Sequence, residues 1–254
     1  MNLDQTTGWR GISAVPDLNQ FEIHVWRISP LQDAAEAARL ENCLIPPERQ
    51  RAERYHFDQD RKRFVIRRAV LRHLLGAYLD SSPAAVCLLN TIHGKPFLEH
   101  QETPEGLQFS CSHSADLALI AITRGQKVGI DLEFHRPFPQ AGELAGAFFS
   151  PLEIAELAKA PDALKETIFF DCWTQKEAFV KAIGLGLSFP LNRFSIPLSP
   201  DQTATRRLVN HDSQNLEPMF IQSLDVSPHC SAALAFEHKD TIVKCFDWSS
   251  PLSA

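Results

Sequence analysis

The same order of hydrophobic periodicities occurs twice along the chain, and few folds satisfy such a pattern. Residues 21–28, FEIHVWRI, read as a strand, and helical spacing follows over 31–42, 47–57 and, at greater length, 59–79. Strand patterns come next at VCLLNT, GLQFSCS and LALIAIT. The second half opens on a strand at 127–135, KVGIDLEFH, and continues with helices over 139–160 and 162–184. It ends with strands at FSIPL, MFIQSLDV, AALAFE and IVKCFDW. Strand, helices, long helix, strands, and then the same again predicts an α+β fold of two similar subdomains. The join falls near Gly125, between two strand signals, and divides the chain into 1–125 and 126–254. No low-complexity linker intervenes, so the halves are expected to pack closely.

At 254 residues, 44% apolar and 22% charged, the chain has the composition of an ordinary globular protein. No apolar run approaches the roughly 20 residues that span a bilayer, so no membrane role is expected. The opening MNLDQTTGWRGISAV has neither a basic start nor an apolar core, which predicts a cytoplasmic protein. Its six cysteines form no C-x-x-C pair, so reduced thiols are expected rather than a zinc cage or a disulfide framework. None of the ten histidines falls in an H-x-x-x-H or H-E-x-x-H arrangement. A metal bound here would take oxygen ligands, which points to a hard ion such as magnesium.

Charge is uneven. Between Pro47 and His73 nine Arg or Lys face four Asp or Glu, a local +5 in a chain of −6, which leaves −11 elsewhere. A nucleic-acid-binding surface is usually basic over a broader area, and no aromatic RNA-binding motif is present, so no nucleic-acid partner is expected. A compact, multiply phosphorylated small molecule suits the island better, and a solvated helix surface is the plain alternative.

Two stretches carry candidate chemistry. In VGIDLEFH, residues 128–135, apolar Val128, Ile130, Leu132 and Phe134 alternate with Gly129, Asp131, Glu133 and His135. A strand therefore places Asp131 and Glu133 on one face, about 7 Å apart, as a wet sheet face or as half of a metal site. In FFDCWTQKEAFVKAIGLGLSFPL, Glu177 lies at the edge of the helix arc formed by Phe169, Trp173, Phe179, Val180 and Ile183. Lys181 follows one turn later, as an ordinary surface pair or as the cation a desolvated carboxylate needs. Gly184 and Gly186 end that helix.

These residues carry a resemblance. GIDLE followed by WTQKEAFVKAIGLGL resembles the signature motifs of the 4′-phosphopantetheinyl transferases of the Sfp type, in their W/KEA branch. PPERQRAERYHFDQDRKRF, HGKPFL and FSCSHS surround them in the family's order, so the likeness runs from about Pro47 to Leu191. It implies two α+β subdomains related by pseudo-two-fold symmetry with coenzyme A bound between them. It implies transfer of the phosphopantetheine arm to a serine of an apo acyl or peptidyl carrier protein, with release of 3′,5′-ADP. Such carriers serve fatty-acid or secondary-metabolite synthesis. A non-catalytic coenzyme A or carrier-protein binding regulator of the same fold is the alternative, against which Asp131, Glu177 and Lys181 are all present. A monomer is expected.

By resemblance, Asp131, Glu133 and Glu177 are magnesium ligands. Glu177 or a metal-bound water is the general base, and Lys181 pairs with Glu177 and a phosphate oxygen. Ser112 and His113 donate to the diphosphate, and Arg51 contacts the 3′-phosphate, with Arg49 and Arg63 as helpers. In GKP, Gly94 allows close backbone approach, Lys95 offers a point charge and Pro96 completes the turn; a plain tight turn is the alternative. Arg68 projects into the apolar arc of Phe64, Leu71 and Leu75, which predicts a carboxylate-paired structural arginine. The family's asparagine near SHS is Ser110 here. Phe148, Phe149 and Phe179 are core residues or, alternatively, part of a carrier-docking surface near the cleft.

Overall fold

The structure, a computed structural model, describes residues 8–12, 14–29, 34–99, 106–196, 206–207, 209–210 and 218–248. The first half contains β1 (Arg10–Gly11), β2 (Glu22–Ile28), α1 (Ala34–Glu41), α2 (Pro46–Glu53) and α3 (Asp58–Tyr78). It continues with β3 (Leu88–Asn90), β4 (Pro96–Leu98), β5 (Leu107–Ser114) and β6 (Leu117–Arg124). The second half contains β7 (Val128–Phe134), α4 (Ala141–Phe148), α5 (Pro151–Lys159), α6 (Asp162–Ile183), β8 (Phe194–Ser195), β9 (Arg206–Arg207) and β10 (Val209–Asn210). It ends with β11 (Phe220–Ser223), β12 (Cys230–Phe236) and β13 (Ile242–Asp247). Parts of two predicted elements, residues 31–33 and 197–198, lie outside the described residues.

The strands form a five-stranded sheet, β1-β13-β2-β6-β5, and a four-stranded sheet, β7-β12-β11-β9, with two small ribbons, β3-β4 and β8-β10. Strand periodicity decides what lies between them. Along β2, Trp26 and Ile28 face α3 in one core with Val70, Leu74 and Leu75. Ile23 and Val25, on the opposite face, join Leu119, Ala121, Val128, Ile130, Leu132 and Leu234 in a core shared by both sheets. The outer face of the second sheet, through Ala233, Ala235 and Ile221, packs on Phe179, Val180 and Ala182 of α6. One long helix thus covers each sheet, and the apolar side of the GIDLE strand lies in the shared core. All six cysteines are unpaired.

Three features depart from the linear reading. The segment expected as one helix over 139–160 is two, α4 and α5. Ser150 accepts from Glu153 N while Glu153 accepts from Ser150 N, a capping box, and Pro151 occupies the first turn. Pro96–Leu98 is a strand, paired antiparallel with β3. Although it belongs to the second half, β13 pairs in parallel with β1 and β2 and so completes the first half's sheet.

A buried histidine lies beside that last strand. His24 is fully buried, with Nδ1 2.7 Å from the Tyr78 hydroxyl and Nε2 3.4 Å from Glu22. Burial pushes its pKa down to about 4; Glu22 opposes the shift and Lys244 adds to it. The unfolded chain, with an ordinary histidine near 6.5, takes up a proton that the folded protein refuses. Stability from this group is therefore full above pH 6.5 and lost as pH falls towards 4. In urea titrations, the wild type should lose about 1–3 kcal/mol more than His24→Gln between pH 7 and 4.5. Parallel pH profiles for the two proteins would contradict this.

Candidate active site at the seam between the sheets

The site exists because α6 crosses β7 at very short range. A Cβ on Gly129 would lie 1.9 Å from the Ala178 carbonyl oxygen and 2.4 Å from the Ala182 nitrogen, so only glycine permits the crossing. Asp131 shares the strand face of Gly129, and Glu177 and Lys181 flank the helix residues that touch it. This face is covered by a helix and is not a wet sheet face: Asp131 is 5% exposed. Helix α6 ends at Gly184, which is left-handed at φ +76°.

Lys181 Nζ donates to Asp131 Oδ1 at 2.7 Å and to Ser112 Oγ at 3.0 Å, while Ser112 Oγ donates to Asp131 Oδ1 at 2.8 Å. The lysine's hydrogen-bonding partner is thus Asp131 on the neighbouring strand, where helix spacing predicted Glu177. Two carboxylate oxygens, Asp131 Oδ2 and Glu177 Oε1, are buried and have no hydrogen-bond partner among the described residues. Burial, then the Asp131 charge, pushes the Glu177 pKa up to about 7; Lys181 opposes the shift and Glu133 adds to it. Glu133 is half-buried, accepts from Ser114 Oγ at 2.9 Å and lies 3.5 Å from Arg136. Among the described residues no three His, Cys, Asp or Glu side chains form a ready metal cage. Magnesium commonly takes one or two protein carboxylates and completes its shell with phosphate and water. Two buried carboxylate oxygens lacking donors fit such an ion.

A row of serines holds the strands on which this site stands. Both β5 and β7 are edge strands of their sheets. Residues 110, 112 and 114 share one face of β5. Ser110 Oγ accepts from Ile130 N at 3.1 Å, Ser112 donates to Asp131, and Ser114 accepts from Phe134 N at 3.1 Å while donating to Glu133. The matching order of partners means that the strands run in the same direction. Ser110, where the family has asparagine, joins the halves.

A cavity of about 370 Å³ adjoins Ser112, with Arg51, Phe64, Gly94, Pro96 and His113 also in its wall. The Arg51 guanidinium lies over Phe64, 5.1 Å from the ring centroid. Burial, then the charges of Arg67 and Lys181, pushes His113 down to about 4 against Asp131, so its partly solvent-facing ring is neutral at pH 7. Gly94 is left-handed at φ +83° in the β3–β4 turn. Lys95 Nζ donates to the Lys181 carbonyl at 2.6 Å and the Val128 carbonyl at 3.4 Å. Its amine thus closes the end of α6, and burial lowers its pKa to about 8.

Several other cations of the island are internally engaged. Arg49 donates to the Leu44 and Asn42 carbonyls, and Arg63 pairs with Asp60 and Asp116. Arg68 pairs with Glu48, as its projection predicted, but the arginine wholly out of water is Arg72, one turn on, which also donates to Glu48 through two nitrogens. Burial raises the pKa of Glu48, but the Arg72 hydrogen bonds and both guanidinium charges outweigh it and hold that pKa low. In KEA, Lys176 is fully buried, 2.8 Å from Glu153 and bonded to the Leu191 and Phe194 carbonyls. The i+4 repeat from Arg68 and the S-x-x-E box around Glu153 were the available signals for these partners. Phe149 and Phe179 are core residues, and Phe148 is half-buried edge-on to Trp173, so the three form no open docking patch.

Comparison with known proteins shows the family. Residues 28–124 match the family model described as 4′-phosphopantetheinyl transferase, N-terminal, and residues 127–233 match the 4′-phosphopantetheinyl transferase superfamily. The chain is 40% identical over 183 residues to the 4′-phosphopantetheinyl transferase HetI of Nostoc sp., covering 72% of this chain and 77% of that protein. It is 30% identical over 242 residues to the 4′-phosphopantetheinyl transferase psf-1 of Bacillus pumilus, covering 91% and 99%. Identity to the 4′-phosphopantetheinyl transferase Sfp of Bacillus subtilis is 27% over 205 residues, covering 81% and 87%. The chain belongs to the 4′-phosphopantetheinyl transferase family, enzymes that transfer phosphopantetheine to carrier proteins.

The seam is testable apart from activity. Ser110→Ala leaves the buried Ile130 N–H without its acceptor, at a cost of about 1–3 kcal/mol in unfolding free energy. A chemical denaturation midpoint unchanged from wild type would show that the seam does not depend on this hydroxyl.

Proposed function

We propose that the chain transfers the phosphopantetheine arm of coenzyme A to a serine hydroxyl of an apo acyl or peptidyl carrier protein, with magnesium, releasing 3′,5′-ADP. The observation that carries this reading is the pair of buried, donor-free oxygens, Asp131 Oδ2 and Glu177 Oε1, beside a lysine fixed by Asp131 and Ser112. In this reading Asp131, Glu177 and Glu133 hold the ion. Magnesium, when bound, neutralises charge on the diphosphate and makes its phosphorus easier to attack.

The protein's own groups do the rest. The carrier's serine oxygen bonds to the phosphorus that bears the pantetheine arm, and the phosphoanhydride bond breaks, leaving the other phosphate on 3′,5′-ADP. Glu177 takes the serine proton at the carboxylate oxygen that is not given to the ion. Lys181 Nζ holds positive charge at the diphosphate, and Ser112 and neutral His113 supply hydrogen bonds. Lys95 positions Lys181 through its backbone carbonyl. Gly94 and Pro96 form cavity wall, and Arg51 takes the 3′-phosphate. The family matches on either side of residue 125 support a division at 1–125 and 126–254. Among the described residues no helix is long and apolar enough to cross a membrane. We assign the reaction to the cytoplasm, in a monomer.

Mass spectrometry of an apo carrier protein incubated with the enzyme, coenzyme A and magnesium tests the reaction. Asp131→Ala and Glu177→Ala should each lower the rate on the order of a hundredfold or more while the fold persists by circular dichroism. Near-normal turnover of either variant at saturating magnesium refutes the site. Arg51→Ala should weaken coenzyme A by about 1.5–3 kcal/mol and dephospho-coenzyme A far less. Equal losses for both would take Arg51 away from the 3′-phosphate.

A further inference from the structure

Five arginines lie on α3, and four have carboxylate partners: Arg61 with Glu41, Arg63 with Asp60 and Asp116, and Arg68 and Arg72 with Glu48. The fifth, Arg67, is half-buried, and among the described residues it makes no hydrogen bond and no ion pair. It has a special place. With Ile28 and Ala118 it walls both the 370 Å³ cavity and a second of about 230 Å³ beside it, which also includes Lys62 and Arg63.

A guanidinium keeps its charge at any ordinary pH, and holding one half out of water without a partner is costly. Such a group calls for an anion from outside the chain, and its planar fork matches phosphate or carboxylate oxygens. The surroundings narrow the choice. Arg67 follows Phe64 by three residues, one turn along the same side of α3. Arg51, which also lacks a carboxylate partner among the described residues, lies over that same Phe64 ring. Arg51, Arg67 and Phe64 therefore line one cavity, apart from Lys181, whose amine is fixed by Asp131 and Ser112. The cavity wall and the seam beyond Ser112 thus offer two cationic centres, and coenzyme A carries two separate anionic groups, the diphosphate that reacts and a phosphomonoester on the ribose.

We propose that Arg67 grips the 3′-phosphomonoester of coenzyme A jointly with Arg51 and so sets the preference for the phosphorylated coenzyme. The inference rests on the coenzyme A reading of this cavity. Arg61, Arg63, Arg68 and Arg72 each reach a carboxylate of the protein itself, and Arg67 is the arginine of α3 left for the ligand.

Calorimetric binding of adenosine 3′,5′-bisphosphate and of 5′-AMP to the full chain tests this without turnover. Wild type should prefer the bisphosphate, and Arg67→Gln should cut that preference roughly ten- to a hundredfold by weakening the bisphosphate alone. Arg67→Lys should retain part of the preference. An unchanged preference in Arg67→Gln, or equal weakening of both nucleotides, overturns the assignment. Thermal melting guards against a folding defect. Since Arg67 has no internal partner, ligand-free Arg67→Gln should melt no lower than wild type, and a marked loss would reveal a structural role and also overturn the proposal. A wild type that keeps the Arg67-dependent preference yet labels no carrier would sink the transfer reading and leave this one standing. A wild type that labels the carrier while Arg67→Gln keeps its preference would do the reverse.

Discussion

The edges of β5 and β7 lie side by side at the centre of the molecule, and what joins them is a row of serine hydroxyls instead of a backbone ladder. An unpaired strand edge exposes donors and acceptors that must be met by something. Here Ser110 and Ser114 meet Ile130 N and Phe134 N, and Ser112 reaches Asp131. Side chains that bridge two strands hold them further apart than a ladder would, and they bring polar oxygen into the gap. That gap is where Lys181 and Asp131 meet. The shared core of Ile23, Val25, Val128 and Ile130 fixes the two sheets around it, so the polar seam is held by apolar packing on one side and by α6 on the other.

The close crossing at Gly129 has a chemical consequence. It draws Glu177 into the seam beside Asp131, where burial and a neighbouring carboxylate raise its pKa to about 7. Lys181 satisfies one oxygen of Asp131 and leaves Oδ2 without a donor, as Glu177 Oε1 is left. Groups of this kind are uncommon in proteins and mark places where something from outside completes the structure. The fully satisfied ion pairs elsewhere make the contrast. Glu48 is enclosed by Arg68, Arg72 and Ile45 N, and Lys176 by Glu153 and two carbonyls. Those networks brace helices; the one at the seam is incomplete among the described residues.

Much of this was legible one residue at a time. The alternation in VGIDLEF gave the strand, its inward apolar face and the shared face of Asp131 and Glu133. The 3.6-residue spacing located α3 and α6 to within a residue or two, since long periodic segments leave little choice of element. Local pattern failed where two short signals touched. The S-P-L-E box that divides α4 from α5 is present in the sequence, but the helical propensity on both sides hides it. Helix spacing suggested a Glu177–Lys181 pair because i,i+4 neighbours are the partners a single helix offers, and a carboxylate on another strand was nearer.

The sequence by itself determined the elements, the apolar faces and the identity of the acidic residues, because each of these follows from the period of a few consecutive side chains. Partners across the seam were decided by tertiary structure alone. That β13 would complete the first half's sheet, that Ser110 would accept from Ile130, and that Lys95 would turn to the end of α6 are contacts between residues 20 to 220 positions apart. Arg67 and Arg72 look alike on the page, as two arginines of one basic helix. One is enclosed by Glu48 and the other is left facing a cavity, because only the packing of α2 against α3 decides which guanidinium a single buried carboxylate can reach.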